Sequence, residues 1–129
     1  MKVFKTKEFI HFVRRERITD ARLCEAANRA VRGLIDADLG GGLIKQRIAR
    51  PGQGRSGGYR TLMAFRNKHR AVFVYGFAKS ERNNIGPDEL EFWRRVATAF
   101  LRMDAARLTL MINQLELKEV SCDEENDVP

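Results

Sequence analysis

The stretch YRTLMAFRNKHRAVFVYGFA, residues 59–78, predicts a β-hairpin around which the rest of the chain is arranged. Residues 59–66 and 70–78 are rich in β-branched and aromatic side chains, and the NKH between them is polar enough for a turn. The second segment is apolar on both faces, which predicts a strand in the interior of the sheet.

Upstream of this hairpin, LIKQRIA (43–49) alternates between apolar and charged side chains. The isoleucines at 44 and 48 fall on one face of the predicted strand, whereas Lys45 and Arg47 fall on the other. We therefore expect the isoleucines to pack against helices and the two cations to face the open side of the sheet.

Helices are predicted on either side of these strands. Thr6 and Thr19 each precede an apolar stripe at helical spacing, so they are expected to cap two helices before the sheet. Gly86 and Pro87, followed by two acidic residues, predict the start of a helix after it. Residues 105–120 fit a further helix or, at LELKEV, a short edge strand, and the pattern leaves both open.

With a short extended segment at KVFK, the predicted order is β-α-α-β-β-β-α. This is a small α+β fold with an antiparallel sheet, two N-terminal helices and one C-terminal helix. Residues 1–120 are predicted to form one domain, and the polar residues 121–129 a disordered tail.

The charge of the chain is unevenly distributed. The net charge is +7, and the segment 39–80 holds no Asp or Glu but nine Lys or Arg. An ordinary solvated surface mixes both signs, so a block of one sign within a fold predicts a polyanionic partner. The nine residues are Lys45, Arg47, Arg50, Arg55, Arg60, Arg66, Lys68, Arg70 and Lys79.

Several other classes of protein are not indicated. No window is long and apolar enough to span a bilayer, and MKVFKTKEF lacks the apolar run of a secretory signal. Cys24 and Cys122 have no metal-ligand spacing, and we expect one small buried residue and one free thiol in a reducing cytoplasm. No metal or cofactor is predicted.

The glycine-rich segment RPGQGRSGGYR, residues 50–60, has the composition of a phosphate-binding loop. A nucleotide loop needs a helix after it, but this segment leads into a strand, so a nucleotide site is excluded. We predict a long flexible loop between two strands that contacts RNA through Arg50 and Arg55, with Arg66 contributing further along the strand. Tyr59 is the candidate for stacking on an unpaired base.

RNA cleavage is a chemistry that such a surface can support. The 2′-hydroxyl attacks the neighbouring phosphate, which requires a base, donors for the phosphoryl oxygens and an acid for the leaving 5′-oxygen. His11 and His69 are poorly placed in a helix and a turn, so the catalyst is expected to consist of Lys, Arg and Tyr. Such a reaction is independent of metal ions, with a lysine crowded by cations as the candidate base.

The segments IKQRIAR, GRSGGYRTLMAFR and AVFVYGFAKSERNNI, followed by ELEFW, carry a family resemblance. Together they resemble the RelE/HigB toxins of bacterial type II toxin–antitoxin modules, particularly the HigB-like branch, over about residues 43–104. The resemblance implies a microbial RNase-like α+β fold and an mRNA interferase, an endoribonuclease that cuts mRNA in the ribosomal A site and inhibits translation. It also implies a cognate helix-turn-helix, HigA-like antitoxin, contact with operator DNA only through that antitoxin, and no membrane.

The resemblance also implies roles for individual residues. Lys45 and Arg47 match the family's basic pair, Arg60 matches the arginine that stabilises the scissile phosphate, and Lys79 and Arg82 lie in its basic segment after the central strand. Two positions depart from the best-studied members, which carry an arginine where Ser80 stands and a tyrosine near Gly86. Arg82, Arg55 and Tyr59 are the candidate substitutes.

Two other functions fit parts of the sequence. A toxin of the same fold that inhibits DNA gyrase by protein contact would not need Lys45, Arg47 or Arg60. A non-catalytic RNA-binding relative would use the basic surface without cleavage. For the antitoxin, two docking surfaces remain open: the basic surface itself and the apolar C-terminal stretch of Leu108, Met111, Ile112 and Leu115.

Overall fold

The computed structural model describes residues 1–52, 54–82 and 84–122, and for residues 54–56 the backbone alone. Over these residues the chain forms a six-stranded mixed sheet with helices on both of its faces. No helix of this described part is long and apolar enough to cross a membrane. The elements in chain order are β1 (Lys2–Thr6), α1 (Lys7–Glu16), α2 (Asp20–Val31), β2 (Ala37–Gly40), β3 (Leu43–Arg50), β4 (Gly54–Arg66), β5 (Arg70–Ala78), α3 (Pro87–Arg102), α4 (Ala105–Asn113) and β6 (Leu117–Val120).

The predicted helix starts are confirmed. The Thr6 hydroxyl accepts a hydrogen bond from the amide of Phe9, which caps α1, and the Thr19 hydroxyl caps α2 in the same way. Each cap satisfies one of the amides that have no partner inside their helix. Pro87 occupies the first turn of α3, where its missing amide proton costs no helical hydrogen bond.

The α+β class is confirmed, whereas the predicted antiparallel sheet and element order need correction. The strand order is β2-β3-β4-β5-β1-β6, and β1 lies parallel to β5 with Phe4 opposite Val72. Both alternatives left open for residues 105–120 occur, as α4 and β6, and β6 pairs antiparallel with β1. A short strand such as β1 has the same alternation whichever partner it pairs with, so its sequence does not reveal the parallel pairing.

Each face of the sheet has its own hydrophobic core. On one face α1 and α2 cover Ile44, Ile48 and Phe73, and on the other α3 and α4 cover Leu43 and Leu62. The isoleucines therefore pack on helices as predicted. We call the face covered by α1 and α2 the α1 face, and the face covered by α3 and α4 the α3 face.

The predicted long glycine loop is wrong, because β4 already begins at Gly54 and pairs with Arg50 of β3. The two strands shift register between Ile48 and Arg50, which brings their backbones unusually close at Gly58. A Cβ on Gly58 would overlap the Ile48 carbonyl oxygen and lie 2.7 Å from the Arg50 nitrogen. The glycine is thus required by strand packing at a β-bulge.

The pairing of Cys24 and Cys122 corrects the expectation of free thiols. Their sulfur atoms form a disulfide across a sequence separation of 98 residues, joining α2 to the chain after β6. The spacing of two distant cysteines could not reveal that the fold brings them together. Of the predicted tail, residues 123–129 lie outside the described residues, and the domain boundary at residue 120 stays a prediction.

We predict that Gly58→Ala lowers the free energy of unfolding by about 1–3 kcal/mol, because the new methyl group has to displace backbone atoms of β3. Chemical denaturation measures this change. Gly86→Ala is the matched control, since a Cβ there meets no atom within 4 Å and it should leave stability nearly unchanged. Equal stability of the two variants would contradict the close approach at Gly58.

We also predict that the melting temperature falls when the protein is treated with a thiol-free reductant such as a phosphine. Breaking a disulfide that closes a loop of this length increases the conformational entropy of the unfolded chain and costs about 2–4 kcal/mol of stability. The double variant Cys24→Ser/Cys122→Ser should melt near the reduced wild type and should not respond to reductant. A wild type that melts at the same temperature in both conditions would rule out the disulfide.

Candidate functional site: a basic face on the sheet

Three cations lie side by side on the α3 face, and we call them the basic face: Lys45 and Arg47 of β3 and Arg60 of β4. Their placement follows from alternation, because Leu43 of β3 and Leu62 of β4 point into the core under α3. Arg47 is exposed and Lys45 is partly exposed, as expected, but the predicted open side of the sheet is wrong, because α3 and α4 pack on that face. Arg60 is only 6% exposed.

Arg47 and Arg60 occupy directly opposed positions of the two antiparallel strands. Side chains opposed in this way have Cβ atoms about 5 Å apart, and like charges there destabilise a sheet. Burial lowers the pKa of Arg60 below its usual value, and the neighbouring charge of Arg47 lowers it further, while Asp36 acts in the opposite direction. An anion placed between the two guanidinium groups would offset both effects.

The backbone of Arg47 is held in place by side chains where strand pairing ends. β2 pairs with β3 only as far as Ala37 opposite Lys45. Beyond that point the Asp36 carboxylate accepts a hydrogen bond from the Arg47 amide at 2.7 Å, and the Arg29 guanidinium donates to the Arg47 carbonyl oxygen. Arg29 is buried and also pairs with Asp36 at 3.5 Å, so these two side chains continue the sheet edge and fix Arg47.

Arg82 lies beside the basic face but is engaged within the protein. Its guanidinium donates to both oxygens of Glu89, at 2.8 and 3.2 Å, and to the Tyr75 hydroxyl at 3.2 Å. It also lies 5.4 Å from the centre of the Phe77 ring, and Phe77 is the strand neighbour of Arg60. The hydrogen bond with Glu89, and then that with Tyr75, raises the pKa of Arg82 above its usual value. Arg82 therefore fastens the first turn of α3 to the end of β5.

Lys79 lies at the rim of the same surface. Its amide donates to the carbonyl oxygen of Gly58 at 3.1 Å, so it lies alongside β4, two residues from Arg60. Lys79 is exposed and directly follows β5. Lys79 and Arg82 therefore lie near the Arg60 end of the basic face, whereas Lys45, opposite Leu62, lies at the other end.

The other predicted RNA-binding residues lie elsewhere. Tyr59, the candidate for stacking on a base, is buried instead: it is 3% exposed on the α1 face, and its ring is perpendicular to that of Phe12. Arg50 lies over that same ring at 5.6 Å, away from the basic face. Arg66 is exposed at the far end of β4, opposite Arg70. The side chain of Arg55 falls outside the described residues.

Burial raises the pKa of the Tyr59 hydroxyl, and the charge of Glu16 and a side-chain hydrogen bond with it raise that pKa further. The hydroxyl also lies 3.5 Å from the Glu16 carbonyl oxygen. Strand alternation explains the error in the prediction. Tyr59 and Arg60 are consecutive residues of one strand, so when Arg60 lies on the basic face, Tyr59 lies in the core on the opposite face.

Tyr75 belongs to the strand predicted to lie in the interior of the sheet, and it is an aromatic residue beside the basic face. Its ring stacks on Trp93 of α3 at 5.0 Å between ring centres, and the residue is partly exposed. A register shift places Tyr75 opposite Leu62 but Phe73 opposite Met63, so one residue of β5 is bulged and the parity changes. Uninterrupted alternation cannot reveal such a bulge, although a tyrosine among apolar residues was the available signal.

Comparison with known proteins gives the family. A family model described as the RelE toxin of the RelE/RelB toxin–antitoxin system matches residues 1–120, which includes every element from β1 to β6. A search of curated proteins found no significant match. The matched region contains the complete mixed sheet and the basic face built on it, and the chain therefore belongs to the RelE toxin family of toxin–antitoxin systems.

Proposed function

We propose that the protein acts as a ribosome-dependent endoribonuclease, which cuts mRNA in the ribosomal A site and so inhibits translation. The observation that carries the proposal is the opposition of Arg47 and Arg60 on neighbouring strands, beside Lys45. A fold gains nothing from opposed arginines by themselves, whereas an RNA phosphate between them is bound by two guanidinium forks. The motifs SGGYR and GFAKSERNNI support a place in the HigB-like branch.

The proposed chemistry assigns charge stabilisation to the arginines. As the phosphate is attacked, negative charge grows on its two non-bridging oxygens, and donors fixed around them lower the barrier. Arg60 is held by the surrounding core, so it need not reorganise during the reaction, and its limited contact with water strengthens its attraction for the phosphate. Arg47, at the exposed side, meets the incoming strand first.

The proton transfers require a different group. The 2′-hydroxyl loses its proton and its oxygen bonds to phosphorus, while the bond from phosphorus to the 5′-oxygen breaks and that oxygen takes up a proton. Arginine stays protonated in proteins, so Lys45 is the member of the basic face that can accept and return a proton. Lys79, at the rim, is the second candidate, and this chemistry uses neither a metal nor a cofactor.

The proposal includes the partners that the resemblance implied. A ribosomal target makes the cytoplasm the place of action, and a helix-turn-helix, HigA-like antitoxin would hold the toxin inactive and carry the contact with operator DNA. Disulfides are uncommon in a reducing cytosol, so the Cys24–Cys122 bond is expected to open there. The basic face does not include this bond.

We predict that Arg60→Gln lowers the rate of mRNA cleavage about a hundredfold or more, because it removes a fixed charge from the transition state. Induced expression followed by mapping of new mRNA 5′ ends measures this directly. Arg66→Gln is the matched control, since it changes an exposed arginine at the other end of the same strand and should cut like the wild type. Circular dichroism verifies that both variants are folded.

Cuts at fixed codon positions within translated frames would support the proposal. A folded Arg60→Gln protein that cleaves at the wild-type rate would refute the assignment of Arg60. Growth arrest without new 5′ ends, accompanied by loss of DNA supercoiling, would point to the gyrase-inhibiting alternative. RNA binding without cleavage by the wild type would indicate the non-catalytic alternative.

We further predict that Lys45→Ala and Arg47→Ala each weaken binding to ribosomes and single-stranded RNA while changing the melting temperature little. Neither side chain is buried, so its removal leaves no cavity. Each variant should reduce the slope of log affinity against log salt by about one unit. A large loss of melting temperature in either variant would show that the side chain contributes to packing and contradict its placement.

A further inference from the structure

A second surface lies at the opposite edge of the sheet from the basic face. Here α1 and the turn between α4 and β6 enclose an open groove of about 420 Å³. Four strand positions separate β6 from β3, which corresponds to about 19 Å across the sheet. We call this surface the edge groove, and it is defined by the apolar residues Ile10, Ile112 and Leu115 and the cations Lys7, Arg14 and Lys118.

The helix beside the groove is only partly used for packing within the chain. In α4 the buried residue is Leu108, although the helix also carries Leu110, which is 43% exposed, and the partly exposed Ile112. Leu115 follows with 78% of its surface exposed. Deleting this segment would also remove Leu108 from the core, so point variants distinguish docking from packing better than a truncation does.

Leu115 adopts a backbone conformation that leucine rarely takes. Its φ of 60° lies in the left-handed region, which costs a bulky residue conformational energy. An exposed leucine there gives the chain no packing in return. Asn or Gly is the ordinary choice at such a position after a helix, so the leucine points to a contact with another molecule.

The charge of the groove limits what that molecule can be. Its lining contains Lys7, Arg14 and Lys118 but no Asp or Glu. None of the three cations forms an ion pair with any residue of the part of the chain that the structure describes. An apolar floor with a cationic rim complements a helix that is apolar on one side and acidic along its flanks.

A neighbouring cavity extends this surface. It has a volume of about 180 Å³, shares Lys7 with the edge groove and is lined by Phe92 and Trp93 of α3. Its lining also includes the carboxylates Glu8 and Glu116, so it continues the apolar floor of the groove and not the cationic rim. Phe92 is 56% exposed, and the buried Trp93 Nε1 has no hydrogen-bond acceptor within the described residues. A segment that continues from the groove could cover the exposed Phe92 ring.

We propose that the edge groove is the anchoring site for an amphipathic, acidic segment of the antitoxin. The inference rests on the proposed toxin function, because that function supplies the partner. Arg60 of β4 is the member of the basic face nearest to the groove, three strand positions or about 14 Å from β6, so a helix about 10–12 Å wide that is seated in the groove leaves the basic face uncovered. Inhibition then requires one of two things. A second segment of the antitoxin reaches the basic face, or the bound antitoxin is large enough to prevent the toxin from entering the ribosome.

The test uses the full-length toxin carrying Arg60→Gln, so that it can be expressed without arresting growth, and the antitoxin encoded beside its gene. Leu115→Asn removes the apolar contact but suits the left-handed backbone, and Lys118→Glu reverses one rim charge. Leu34→Asn, at a leucine 57% exposed after α2, and Arg95→Glu, on the outer side of α3, are the matched controls. Calorimetry measures the dissociation constants, and melting curves verify folding.

Each groove variant should weaken antitoxin binding by about tenfold or more, whereas each control should stay within about twofold of the parent toxin. Affinities of the groove variants equal to the parent's would overturn the proposal, even if Arg60→Gln had abolished cleavage and so upheld the nuclease. A loss of binding in the groove variants would uphold the groove, whatever the outcome for RNA cleavage. A free toxin that is dimeric by sedimentation, and monomeric after Leu115→Asn, would overturn it in favour of self-association.

Discussion

The proposed function of this protein depends on two arginines that lie directly opposite each other on neighbouring strands. Arg47 and Arg60 repel one another, and Arg60 is additionally removed from most of its contact with water. Neither feature stabilises a sheet. The structure holds them together nevertheless, because Asp36 and the buried Arg29 fix the backbone of Arg47 and the core fixes β4. In our proposal this arrangement is the binding site for an anion, and its backbone is already in place in the free protein.

The helix that covers the α3 face leaves Arg47 exposed, whereas Arg60 is buried. Thr98 of α3 donates to the Gly41 carbonyl oxygen, and at its other end Glu89 holds Arg82. The helix therefore crosses the sheet between two fixed points, with Trp93 stacked on Tyr75 beside the cations. Side chains of the sheet beyond the start of α3 remain available, and these include the exposed Arg47.

Much of the fold could be predicted from local signals. The caps at Thr6 and Thr19, the alternation around Lys45 and Arg47 and the proline at the start of α3 each involve residues close in sequence, whose geometry sets the outcome. The parallel pairing of β1 with β5 and the Cys24–Cys122 disulfide depend on contacts between distant segments, which local patterns do not contain.

The candidate site was predicted in part for the same reason. Lys45 and Arg47 share one regular strand, so their common face followed from period two. Tyr59 is buried because strand parity places it on the face opposite Arg60, and the register shift between β4 and β5 brings Tyr75 beside the basic face. The glycine-rich composition suggested a loop, but at Gly58 the missing side chain allows the backbones of β3 and β4 to lie close together. The sequence of β4 alone does not show how close β3 lies.

The central claim is that the opposed arginines are costly to the free protein and are stabilised by an RNA phosphate. The most direct test compares the free energies of unfolding of the wild type and Arg47→Gln, with and without a single-stranded RNA oligonucleotide at low salt. Without RNA, the variant should be more stable by about 0.2–1 kcal/mol, because one of the two repelling charges is gone. With RNA, the wild type should gain more stability than the variant. A variant that is less stable without RNA, or that gains as much from RNA as the wild type, would contradict this account.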